Sequence, residues 1–150
     1  MSLSTDSIFI AALKTDAQLT EMISGRLYGT SIGVPDEDLD NAPVPYVIVT
    51  FDGMNNQEDT KDEPYEGEAD SVRIGVEVVA KTLNDLHVLT QKVREVVLQY
   101  FRTAETNVMD YVLSAGQIQY DSWKPCYWQV LSYQCDVYNH LNDDEENGNN

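Results

Sequence analysis

The sequence predicts an α+β domain: one mixed, mostly antiparallel β-sheet of four to five strands with two to three helices packed on one face. Three segments carry that prediction. Tyr46-Val47-Ile48-Val49-Thr50-Phe51 is a run of β-branched and aromatic residues, the composition of a strand. Over residues 72–80, Val72, Ile74, Val76 and Val78 alternate with Arg73, Gly75 and Glu77, the period of a half-buried sheet. Over residues 84–101, Leu86, Leu89, Val93, Val96, Val97 and Tyr100 form one apolar stripe, with Gln91, Lys92, Arg94 and Glu95 off it. A helix of roughly 18 residues at 1.5 Å each crosses a whole sheet.

The other elements follow in chain order. Asp6 is placed to cap a first helix reaching Lys14, with Ile8, Ala11 and Ala12 at helical spacing. Asp16 stands where a second N-cap belongs, before a short helix with Glu21 on it and Leu19, Met22 and Ile23 apolar, which Gly25 ends. Arg26-Leu27-Tyr28 makes a short strand, and residues 29–45 carry Gly, Pro and Asp without periodicity, a loop. Thr82, with Asp85 three residues on, resembles a capping box in which Asp replaces the usual Glu or Gln. Residues 117–123 and 127–138 are the last two strands, joined by a tight turn through Lys124-Pro125. In the final strand Gln129, Leu131, Tyr133, Cys135 and Val137 take one face; Trp128, Val130, Ser132, Gln134 and Asp136 take the other. Both faces are partly apolar, so this strand is either central or covered by something outside the chain. Residues 1–141 thus make a single domain without internal repeats, and 142–150 an acidic, Asn-rich tail that cannot pack alone.

The charge is lopsided. Twenty-six Asp and Glu face 9 Lys and Arg, a formal charge of -17. Such a surface repels phosphate backbones and anionic lipid heads, which argues against nucleic-acid or membrane binding. No apolar run approaches a membrane span, and the first residues lack the basic and apolar stretches of a signal peptide. Cys126 and Cys135, on one extended strand, would lie roughly 30 Å apart at the strand rise, far beyond disulfide reach. A reducing cytoplasm is the expected folding compartment.

Chemistry is hard to find. His87 falls on the polar side of the long helix and His140 at the edge of the tail, neither within ligand spacing of the other. Cys135 lies mid-strand among apolar neighbours, an inert thiol, and Cys126, placed in the turn and more exposed, has no histidine nearby in sequence. Gly25, Gly29 and Gly33 lack the pattern of a phosphate loop. Between residues 53 and 70 stand Glu58, Asp59, Asp62, Glu63, Glu66, Glu68 and Asp70 against Lys61 alone, without the spacing of a calcium loop. The expectation is no catalytic residue, no metal site, no cofactor and no enzyme activity. A structureless stretch this long inside a small domain is usually functional or disordered.

The order of segments resembles the tail-terminator (tail-completion) proteins of long-tailed bacteriophages, the family of the phage lambda minor tail terminator. The likeness rests on Asp16-Ala17-Gln18-Leu19, Gly25-Arg26-Leu27-Tyr28, Pro43-Val44-Pro45-Tyr46-Val47-Ile48-Val49, the acidic loop, the strand over 72–80, the helix over 84–101 and the strand over 127–138. It spans residues 6–138; the surroundings of Cys126 and Trp128 and the tail fall outside it. The resemblance implies a virion protein of the tail or neck, made in the host cytoplasm during assembly. It implies a homo-oligomeric ring, a hexamer, on the head-proximal end of the tail tube. That ring halts tube polymerisation, contacts the major tail tube protein and offers a surface to the head–tail connector or head-closure protein. DNA then passes through without specific binding, past a channel-facing acidic loop of Glu58, Asp59, Asp62, Glu63, Glu66 and Glu68. Tyr127, Trp128 and Val130 are the candidate subunit contacts. A head-closure or connector subunit is the alternative, and an acidic DNA-mimic inhibitor a third reading, although mimics spread their acids along helices.

Overall fold

The computed structural model describes residues 2–29, 42–56 and 69–138. Its elements are α1 (Thr5–Thr15), α2 (Ala17–Met22), β1 (Leu27–Gly29), β2 (Tyr46–Asn56), β3 (Ala69–Ala80), α3 (Leu83–Thr103), β4 (Val108–Ala115), β5 (Gln119–Asp121) and β6 (Cys126–Tyr138). One sheet runs in the order β1-β2-β3-β6-β4, with β5 paired to β6 beyond the end of β4. β1 lies parallel to β2 and every other pairing is antiparallel. The class is α+β, as the sequence predicts. Among the described residues the strand count is six, one above the expected range, because β4 precedes the final hairpin.

The helices cover one face of this sheet. Val47 and Val49 of β2, Val72, Ile74, Val76 and Val78 of β3, and Leu131, Tyr133, Cys135 and Val137 of β6 are buried in one core. Phe9, Ile10, Leu13, Leu19, Leu86, Leu89, Val93 and Val97 complete it from the helix layer. The α3 stripe is the one the spacing predicts, and the helix runs two residues further, to Thr103. Its start is capped as expected: the Asp85 amide donates to Thr82 Oγ1 at 3.1 Å. Asp16 caps α2 by accepting from the Leu19 amide at 2.8 Å, and its carboxylate lies 3.6 Å from Lys92 Nζ on α3.

Three expectations need correction. Asp6 does not cap α1; the helix begins at Thr5, and Asp6 is buried in its first turn. The buried face of α1 is Phe9, Ile10, Ala12 and Leu13, whereas Ile8 and Ala11 are only half-buried. α1 packs against both α3 and the sheet, so its contact arc is wider than one stripe. Cys126 is not exposed in a turn: it opens β6, buried beneath Tyr46, Ile48, Val79 and Trp128. Both thiols are free. Burial pushes the Cys135 thiol up to about 12 and raises that of Cys126, so neither ionises near neutrality.

Candidate assembly surface

The acidic residues Glu58, Asp59, Asp62, Glu63, Glu66 and Glu68 lie outside the described residues. Their attachment is defined. Asn56 Nδ2 donates to Asp70 Oδ1 at 2.6 Å and to Ala69 O at 3.3 Å, pinning the last pair of β2 to the first of β3. His140 and the tail are likewise outside the described residues.

The other sequence candidates lie on β6, which is central: β3 pairs along one side, and β4 and β5 along the other. The central reading of this strand therefore holds, and a neighbouring chain cannot complete the sheet at β6. Tyr127 is half-buried and packs toward the helix-covered core, its ring 4.9 Å from that of Tyr120. Trp128 and Val130 take the opposite face, both half-buried, Trp128 against the small cluster of Ala42, Tyr46, Ile48, Val79 and Cys126. The three do not share one patch.

Four of the large apolar side chains that face solvent among the described residues sit on the far edge, while Leu3, Leu83, Val88 and Leu98 are exposed elsewhere. Met109 and Val112 on β4, Tyr120 on β5 and Trp123 in the following turn are all exposed, Trp123 by 86% and Val112 by 70%. Trp123 is held by its turn: Asp121 Oδ1 accepts from the Trp123 amide at 2.9 Å. Trp and Tyr are enriched among the residues that anchor protein contacts, which singles out Trp123 and Tyr120 here.

The sheet face away from the helices is divided. Near the start of β2 it is apolar, built from Tyr28, Val44, Tyr46, Ile48, Val79 and Trp128. Lys124 reaches over it, its ammonium 5.3 Å from the Tyr46 ring centre. Toward the other end the cross-strand rows are polar: Thr50, Gly75 and Ser132 with Ser114, then Arg73 and Gln134 with Val112, then Asn55, Ser71, Asp136 and Asp110. Asp52 lies over Gly75 and accepts from Thr50 Oγ1 at 2.8 Å. A shallow cleft of about 310 Å³ opens here, bordered by Asp52, Arg73, Val112, Ser114, Ser132 and Gln134. Glu77, between Ile48 and Val130, has its carboxyl raised by burial.

Asp110 and Asp136 are directly opposite each other. Their hydrogen bond holds the Asp136 carboxyl above the ordinary carboxylate range, with some desolvation and the Asp110 charge adding to it. The sign follows. A carboxyl whose folded value is raised favours the native state below its unfolded value, and that contribution is lost as pH rises through the folded value. At neutral pH two carboxylates face each other unfavourably. Asp136→Asn should therefore stabilise the chain at pH 7 by roughly a few tenths of a kcal/mol, the gain fading as the pH falls below the raised carboxyl range. Urea unfolding of both proteins across pH 4–8 tests this, and an Asp136→Asn protein with the wild-type pH profile would show that the pair is not strained.

Among the described residues no three His, Cys, Asp or Glu side chains converge on a possible metal position. No helix among them is long and apolar enough to cross a membrane.

No family profile matches the chain, and no curated protein matches it in sequence. Solved structures do match in shape. A second solved protein, 13% identical over 89% of this chain and 96% of its own, reaches a TM-score of only 0.41, too low to bear on the fold. A chain of the virion of a native gene transfer agent particle is 12% identical, with a TM-score of 0.59 over 89% of this chain and 94% of its own. This chain thus shares its fold with a chain of that virion along nearly its whole length.

Proposed function

We propose that this chain is a structural virion protein: a tail terminator that forms a ring at the head-proximal end of the tail tube, ends tube growth and presents the surface for head joining. The observation that carries the reading is the end-to-end fold match with a virion component, in which neither chain has a large unmatched domain. The segment order that resembles tail terminators supports the finer assignment. The surface fits an assembly role: Met109, Val112, Tyr120 and Trp123 are exposed along one sheet edge, where a neighbouring subunit would cover them. In such a ring the acidic 57–68 segment rims the DNA path, and carboxylates repel the phosphate backbone that must slide past. The ring contacts the major tail tube protein on one side and the connector or head-closure protein on the other, and the chain acts without catalysis.

Electron microscopy of tails assembled without the protein tests this. Tubes that overrun their normal length and carry no heads are the expected result. Headless tails of normal length would instead identify a neck subunit that acts after the tube is closed, and normal joined particles would exclude both roles.

A further inference from the structure

His87, Gln91, Arg94, Leu98 and Arg102 on α3 are spaced by four, three, four and four residues, so they form one stripe along the helix. All five are exposed, and the stripe holds no carboxylate. In a chain with 26 acids against 9 bases, residues 81–103 invert the ratio, with four Lys or Arg (Lys81, Lys92, Arg94, Arg102) against two acids (Asp85, Glu95). A groove of about 260 Å³ runs beside the stripe, bordered by His87, Gln91, Arg94, Ile118 and Gln129. Thr90 also lines it; the residue is 8% exposed, and its hydroxyl is buried without a hydrogen-bond partner.

The opposite layer carries the complement. The open sheet face presents Asp52, Glu77, Asp110 and Asp136 against Arg73 and, at its apolar end, Lys124, and among the described residues no ion pair reaches the opposed Asp110 and Asp136. A cation arriving from outside would relieve that repulsion, and guanidinium is the group best shaped to bridge carboxylates.

We propose that a second copy of this chain lays its open sheet face on the α3 stripe, so that Arg94 and Arg102 of one copy meet Asp52, Asp110 and Asp136 of the next. The dimensions agree. The two arginines are ~12 Å apart along the helix, and β2 and β4, three strand spacings from each other, are ~14 Å apart across the sheet. A helix lying across the strands therefore sets one guanidinium near each acidic site. The patches lie on opposite layers of the domain, so each contact leaves one of each kind free. That is a head-to-tail interface, which builds closed rings or open filaments and not two-fold dimers. The overall charge of -17 does not forbid it, because at physiological salt charges beyond about 8 Å are screened and the local pairing decides.

The inference rests on the ring reading above, and one experiment separates the two. Sedimentation and native mass spectrometry are run on the full chain, on Arg94→Glu with Arg102→Glu, on Asp110→Lys with Asp136→Lys, and on an equimolar mixture of the two variants. The wild type should form oligomers. Each reversed pair alone should associate at least tenfold more weakly, having like charges on both faces, and the mixture should recover assembly with the two variants alternating. Wild-type assembly unaffected by either reversal, or a mixture of natively folded variants that stays apart, overturns the docking faces and leaves the ring. A wild-type chain that is monomeric at every concentration overturns the ring in solution and this inference with it. Should a reversed pair fail to fold, Arg94→Gln with Arg102→Gln and Asp110→Asn with Asp136→Asn are expected to weaken self-association, and unchanged association would again overturn the docking faces.

Discussion

Phe9→Ala is expected to cost about 3–5 kcal/mol, lowering the thermal midpoint by roughly 6–20 °C. Phe9 is fully buried, its ring centre 5.0 Å from that of Tyr133 and 5.3 Å from that of Phe101. Phe101 in turn lies 5.7 Å from Tyr111, and Tyr111 5.2 Å from Tyr133, so four rings close a cycle joining α1, α3, β4 and β6. Removing the Phe9 ring leaves a cavity walled by Phe101 and Tyr133, which sit on two different elements and are both braced by Tyr111, and such a wall collapses poorly. The cost therefore belongs at the upper end for a buried aromatic. Urea unfolding followed by circular dichroism measures it. A loss below about 1 kcal/mol would mean that α1 does not seal this end of the core.

How much of this was legible in the sequence depended on whether the local pattern survived the tertiary contacts. α3 and β3 were readable because each buries one regular face, and the Asp16 and Thr82 caps because capping is a local hydrogen bond. β4 was not. Its register shifts between Val108 and Asp110, so Val108 and Tyr111, three positions apart, both turn toward the helices. A bulge of this kind erases the period of two by which a strand is recognised. Missing β4 changed the reading of the site as well. Without it the final strand reads as either central or covered from outside, with Tyr127, Trp128 and Val130 offered to a neighbour; with it, β6 is central, the edge passes to β4 and β5, and Met109, Val112 and Tyr120 are exposed there. The basic stripe of α3 was hidden for a different reason. Arg94 reads from the sequence as an ordinary position off the apolar stripe, and it gains the role proposed above, with Arg102, only when the acidic sheet face is set against it.

The sheet's other edge supplies the last test, Gly29→Ala. β1 has only three paired residues, and Gly29 is opposite Val49. A Cβ at Gly29 would stand 2.7 Å from the Val49 carbonyl oxygen and 3.0 Å from Ile10 Cδ1. The second contact can be relieved by turning a side chain. The first cannot, because the oxygen belongs to the backbone of a strand paired on its other side with β3. β1 itself must move, straining that short ladder, the packing of Leu27 on the core and of Tyr28 against Tyr46, the Val47 amide donating to Arg26 O at 3.1 Å, and Arg26 Nε donating to Pro45 O at 2.9 Å. A cost of about 1–3 kcal/mol is expected. It should be local: the Val47 amide should exchange much faster with solvent, while the amides joining β3 to β6 keep the protection set by global unfolding. Unchanged exchange at Val47 would mean that β1 has room for the methyl group and is held more loosely against β2 than the 2.7 Å approach requires.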